Sequence, residues 1–172
     1  GGNINLESIL ADAQNDDKQV SIKYQMSWPG TGDPYFTNEG DIRRDLYLVS
    51  GIPSSRLDGT VEYNTGSLTQ ANLNTMYAVA PKANVTAYYT IDEASKTIDI
   101  QATIEVLENT PPGVRVFAAI FEYQTSNNVK SNGETEFFHV VKKMVPGASG
   151  VVMSPMTAGE TYDFNQSYSF NG

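Results

Sequence analysis

Trp28, Asp33, Tyr35 and Phe36 fall within one short loop, WPGTGDPYF, whose two glycines and two prolines shape the turn. Aromatic rings beside a carboxylate are the side-chain mixture on which a sugar or a peptide stacks. The plainer account carries more weight: Trp28 finishes a strand and caps the core, while Gly30, Gly32 and Pro34 set the chain direction. Asp33, Glu39 and Asp41 supply hard oxygen ligands of the kind calcium takes. Their spacing does not follow the D-x-[DN]-x-[DN]-G loop, and Glu39 and Asp41 suit the first turn of a helix, so no metal is assigned. The one histidine, His139, sits between Phe138 and Val140, which excludes a multi-histidine site and reads as a hydrogen-bonded sheet residue.

The chain holds no cysteine, which rules out thiol catalysis, disulfides and zinc thiolate sites within it. No G-x-S-x-G, P-loop or G-x-G-x-x-G pattern is present. Twenty acidic residues leave a carboxylate pair conceivable, but nothing singles one out. No catalytic residue and no cofactor is therefore assigned. Lys142-Lys143 reads as a solvated strand end, and Asn84-Val85-Thr86 and Asn165-Gln166-Ser167 as chance glycosylation sequons.

A formal net charge of -9 repels phosphate backbones and anionic headgroups, so nucleic acid and bare membrane surfaces are poor partners. The hydrophobic share of 40% belongs to a folding chain rather than a disordered one. No apolar run approaches the roughly 20 residues of a membrane-spanning helix, and GGNINLESIL lacks the layout of a signal peptide.

The elements that must position these residues follow from periodicity. Leu6, Ile9, Leu10 and Ala13 share a helical face, with Asn3 or Asn5 as its cap. Val20–Trp28 alternates and predicts a strand with one buried face. A second helix from Thr37 or Asn38 would turn Ile42, Leu46 and Val49 inward and Arg43, Arg44 and Asp45 to water, closing at Gly51. Asp58-Gly59 predicts a hairpin between Ser54–Leu57 and Thr60–Tyr63. Ser67 and Gln70 match a capping box opening a helix through Ala80. Strands alone follow: Val85–Ile91, Ile98–Val106, a central Val114–Phe121, Phe137–Met144 and Tyr162–Phe170, separated by EASK, ENTPPG, TSNNVKSNGE and PGASG. The expected fold class is α+β followed by all-β, with a first domain over residues 1-82 and a β-sandwich over 83-172.

The segment IPSSRLDGTVEYNTGSLTQANLNTMY resembles the C-terminal part of a thioredoxin fold, and the resemblance implies that Pro53 is the cis-proline that faces a redox dithiol. YQMSWPGTGDPYFTNEGDIRRDLYLVSGIPSSRLDG together with FFHVVKKMVPGASG is similar to the thioredoxin-like outer-membrane and secreted proteins of Gram-negative bacteria, the 28-kilodalton outer-membrane protein group. That family implies a thioredoxin-like domain followed by an immunoglobulin-like one, and often a Cys-x-x-Cys just ahead of the helix matching Asn3 to Gln14. The chain is expected to be a fragment trimmed at both ends, unable to exchange disulfides as it stands. The expectation is a non-catalytic protein of the cell envelope or secreted space that binds a protein or glycan. A thiol-disulfide oxidoreductase with its dithiol upstream is the alternative, and glycan binding through Trp28 and Tyr35 a third reading. The sheet edge left by missing initial strands is expected to support an edge-strand homodimer.

Overall fold

The computed structural model describes residues 2–126 and 135–171. Short helices and one hairpin come first. From Ala83 onward every described helix or strand is a strand, paired antiparallel in open sheets. The architecture is thus mixed α and β, then β-rich.

Helix α1 (Gly2–Leu10) starts earlier than expected, and Asn3 and Asn5 lie inside it rather than capping it. Asn5 instead donates through its amide to the carbonyls of Thr65 and Leu68, both at 3.0 Å. Asp12 caps one 3-10 turn, Ala13–Asn15. There the fully buried Asn15 donates to the Ile9 carbonyl and exchanges two side-chain hydrogen bonds with Gln70, at 2.8 and 2.7 Å. A buried amide with its donors and acceptor satisfied is a fixed joint.

Val20–Trp28 is not a strand. Among the described residues its only ladder contact is a parallel bridge at Lys23, whose N–H donates to the His139 carbonyl at 2.8 Å and whose carbonyl accepts from Val141 N–H at 3.0 Å. One bridging residue does not anchor nine, and Val20 remains exposed while Met26 is buried.

Helix α2 (Asn38–Leu46) is capped by Thr37, which accepts from Gly40 N–H at 3.2 Å. Its buried face is the reverse of the expected one. Ile42 and Leu46 are exposed, whereas Gly40 and Arg43 are buried. The small Gly40 lets the helix approach Gln25 and Met26, where an added Cβ would stand 3.3 Å from the Gln25 carbonyl oxygen. That approach decides which face turns inward. The helix closes on Leu48, at φ 53, not on Gly51, with Val49 N–H reaching back to the Arg44 carbonyl at 3.0 Å.

Strands β1 (Ser54–Leu57) and β2 (Val61–Asn64) pair across Asp58 and Gly59, both at positive φ, as the Asp-Gly signal requires. Ser67 does not open the next helix; it lies in a 3-10 turn, Thr65–Ser67. Thr69 caps α3 (Gln70–Tyr77), and Asn72 completes the reciprocal box.

Strands β3 (Ala83–Asp92), β4 (Thr97–Val106) and β9 (Thr161–Ser169) form the largest sheet, in the order β3-β4-β9. The stretch Val114–Phe121 is not one central strand. It divides into β5 (Arg115–Val116), paired with β8 (Val151–Val152), and β6 (Ala118–Thr125), paired with β7 (Phe137–Val145). Phe117 marks the division, its ring against Gly150 and the Arg43 guanidinium. The expected turn TSNNVKSNGE lies largely in residues 127–134, outside the described residues. Ile104, Val106, Met153 and Phe164 make one core under β4 and β9. A second joins Tyr35 to Phe137 and Val140, and a third gathers Tyr24, Phe117 and Phe121 around Val141, Met144 and Ala148. Side chains from before and after residue 82 therefore share the second and third of these cores, while the first is built from residues after it alone.

Candidate functional site

The loop from Trp28 to Phe36 is built around one glycine. Gly32 stands at φ 73 with its Cα so close to Ser27 that any Cβ would lie 2.5 Å from that residue's carbonyl. Asp33 N–H then donates to the Met26 carbonyl at 2.9 Å, and the Asp33 carboxylate accepts from Tyr35 N–H at 2.8 Å. This local tie turns Tyr35 into the core instead of onto the loop's surface. Its hydroxyl shares a hydrogen bond with Thr125 at 2.7 Å, its edge meets Phe137 and Lys142 lies 4.0 Å from its ring centre. Trp28 and Phe36 remain half-buried, and the peptide bonds Trp28-Pro29, Ile52-Pro53 and Val145-Pro146 are cis.

The three candidate carboxylates, Asp33, Glu39 and Asp41, do not converge. Asp33 serves the Tyr35 amide, Asp41 faces Arg44 at 2.9 Å, and Glu39 pairs with Lys143. Among the described residues no cluster of three or more metal-ligating side chains occurs. Burial pushes the Glu39 carboxyl upward, but the Lys143 hydrogen bond and charge hold it below its ordinary value, and the same bond raises Lys143. Lys142 and Lys143 are accordingly not a solvated strand end: Lys142 also meets Glu122 at 3.1 Å.

Among the described residues Arg43 is the buried charge, 3% exposed. Its guanidinium is stacked between the rings of Tyr47 and Phe117, at 4.7 and 4.1 Å, and donates to the Tyr47 hydroxyl. No carboxylate bonds it, and its Nε and Nη1 have no hydrogen-bond partner among the described residues. Ring faces carry the compensation.

His139 occupies a left-handed backbone position, φ 57, inside β7. Its backbone carbonyl serves Lys23, while the ring meets the edges of Phe121 and Tyr123 at 6.0 and 5.1 Å and leaves Nδ1 buried without a partner among the described residues. Burial lowers its pKa, with Glu7 opposing and Lys23 adding to the effect.

What sequence reasoning missed is a surface. On β3, Val85 is 63%, Tyr88 70%, Tyr89 71% and Ile91 52% exposed. Register pairs Val85 with Ile104, Ala87 with Ala102, Tyr89 with Ile100 and Ile91 with Ile98, so one face of the β3-β4 ladder is apolar, continued on β9 by Tyr162, Phe164 and Tyr168 with Gln166 among them. The core formed around Ile104 and Phe164 covers only one end of it. On the opposite face Tyr88, Thr90, Asp99, Gln101, Asn165 and Ser167 line a shallow depression of ≈ 400 Å³. The available signal was the run Ala83 to Ile91, which carries no charge between Lys82 and Asp92. No protein family, curated protein or solved structure matches the chain. Among the described residues no helix is long and apolar enough to cross a membrane.

Proposed function

We propose that this chain is a non-catalytic binding or structural protein of the cell envelope or secreted space of a Gram-negative bacterium, working through the open sheet β3-β4-β9. In this reading a redox-inactive thioredoxin-like unit precedes an immunoglobulin-like β-sandwich. The observation that carries it is the apolar face and edge of β3, uncovered and unpaired among the described residues, since exposed apolar area on this scale marks interaction surfaces. An open edge also accepts an extended strand from a partner through main-chain hydrogen bonds. Co-sedimentation with isolated Gram-negative outer-membrane fractions tests it, comparing the chain with Tyr89→Lys. Retention of the chain and loss of the variant supports the reading; equal behaviour of the two overturns it.

One observation favours a second reading, in which the whole protein is a thiol-disulfide oxidoreductase with its dithiol ahead of Gly1. A Cβ built on Gly2, at the start of α1, would stand 2.8 Å from Pro53 Cγ. The first turn of α1 thus abuts the proline that the thioredoxin resemblance places opposite a dithiol. The gene sequence upstream decides: Cys-x-x-Cys within a few residues of Gly1 selects the oxidoreductase, and its absence selects the binder.

A further inference from the structure

Leu107 N–H donates to the Lys82 carbonyl at 2.9 Å, which makes that facing pair a hydrogen-bonded one. Such pairs alternate along an antiparallel ladder. The even-numbered residues of β3 therefore spend their backbone groups on β4, and Ala83, Val85, Ala87, Tyr89 and Ile91 point theirs away from the sheet. The same alternation holds on β4, whose even residue Val106 donates outward to Glu160 at 3.0 Å. Among the described residues nothing pairs with the outer edge of β3.

Native edges are usually blunted by charge, proline, bulges or brevity. β3 has none of these protections. It runs ten residues with unbroken register, and Ala83 to Ile91 contains neither a charge nor a proline. The other edge of the sheet differs. On β9 the outward residues are Thr161, Asp163, Asn165, Ser167 and Ser169, a polar row with a carboxylate in it.

We propose that β3 pairs with β3 of a second copy of this chain, antiparallel about a two-fold axis through Ala87, making one continuous six-stranded sheet. The inference rests on reading this sheet as the chain's binding surface, and it names the partner. Ala87 is the midpoint of the five outward-facing residues, so only this register satisfies all of them: Ala83 with the second copy's Ile91, Val85 with Tyr89, and Ala87 with itself. About ten main-chain hydrogen bonds result. Side chains agree with the backbone. Apolar residues meet apolar ones on one face, and on the other Asn84 meets Thr90 and Thr86 meets Tyr88. At each end Lys82 comes opposite Asp92, the only charges flanking the run. Lys82 also faces its own Glu108 at 2.7 Å, and Glu93 near Asp92 is matched by Lys96 at 3.2 Å, so neither end brings unmatched like charges together.

The absence of cysteine gives a clean test. A hydrogen-bonded antiparallel pair holds its Cα atoms about 5.5 Å apart, within disulfide reach. Mild oxidation should convert Ala87→Cys to a covalent dimer. Val85→Cys should cross-link at least tenfold more slowly, and the double variant Val85→Cys, Tyr89→Cys should cross-link like Ala87→Cys. In light scattering the mass of the unmodified chain should double between dilute and concentrated samples. Ala87→Pro should remain a monomer with its circular dichroism unchanged, because the lost N–H points outward. A constant monomer mass at every concentration, equal cross-linking of Val85→Cys and Ala87→Cys, or a dimer indifferent to Ala87→Pro overturns the proposal. These measurements contain no envelope material. A monomer whose envelope binding still vanishes with Tyr89→Lys thus removes the dimer alone, and a dimer that binds no envelope removes the wider reading alone.

Discussion

Two antiparallel ladders in this chain have opposite fates. β3 and β4 pair over ten consecutive residues without irregularity, yet β3 is exposed along almost its whole length. β6 and β7 pair with a register shift after Ile120 and a left-handed residue at His139, yet Phe137, Val140, Val141 and Met144 of β7 are almost fully buried. Backbone hydrogen bonding and burial are therefore separate achievements. The regular ladder satisfies its own polar groups and leaves its apolar face to be covered from elsewhere. The irregular one is bent so that the Trp28 to Phe36 loop, Lys23 and α2 can dock on it, through Tyr35, the parallel bridge and the Glu39-Lys143 pair.

The strongest way to break this contrast is to remove one apolar side chain from each ladder. Phe137→Ala empties a site 2% exposed and strips the ring edge from Tyr35, and about 4 kcal/mol of stability should be lost in urea unfolding. Ile91→Thr, on the exposed face, should change stability by less than about 0.5 kcal/mol when the chain is dilute. Comparable losses in the two variants would mean that the β3 face is covered in solution by something within the same chain.

Arg43 sharpens the comparison, because it shows how the irregular half holds α2. Arg43→Ala leaves a gap between the Tyr47 and Phe117 rings and should cost about 3 kcal/mol. Arg43→Met fills the same space without a charge that no carboxylate matches, and it should fall within about 1 kcal/mol of the parent chain. A Met variant as damaged as the Ala variant would show that the guanidinium's attraction for both rings, and not its volume, fixes the helix. A smaller effect belongs to the loop: Gly32→Ala forces a Cβ into the Ser27 carbonyl at a left-handed position and should cost about 2 kcal/mol by the same measurement.

The sequence was legible where local chemistry decides. Asp58-Gly59 demanded its turn, the alternation of Ile98 to Val106 demanded a half-buried strand, and Thr37 to Glu39 marked a helix start; all three lie where periodicity and turn residues put them. It was illegible where tertiary contact overrides pattern. The apolar stripe of Ile42 and Leu46 is a sound amphipathic signal, but Gly40 permits a closer approach on the other side, and that face was buried with its arginine. Val20 to Trp28 alternates like a strand but finds a ladder partner at Lys23 alone. The loop's aromatic content was plain. That Tyr35 turns inward depends on Thr125 and Phe137, about a hundred residues away, which no local rule reaches. The open edge of β3 had a compositional trace in its uncharged run, but its exposure follows only from strand order.

The smallest effect is a proton's, and it separates the two ladders by pH. His139 is held below its ordinary value by burial against Phe121 and Tyr123, with Lys23 reinforcing and Glu7 opposing. In the unfolded chain the ring takes its proton near pH ~6.5. As pH falls through that range the unfolded chain binds a proton that the folded chain resists, so stability should decline between about pH 7 and the lower folded value. Glu39 acts in a different window: its carboxyl is depressed, so its contribution persists above the usual carboxylate range and is lost only as pH falls through its folded value. His139→Asn removes the titrating ring while tolerating the left-handed backbone. Its melting temperature should therefore stay flat from about pH 7 to about 5.5, where the parent chain's falls. If both decline in parallel, the proton enters elsewhere, and β7 does not owe its pH sensitivity to the side chain at its bend.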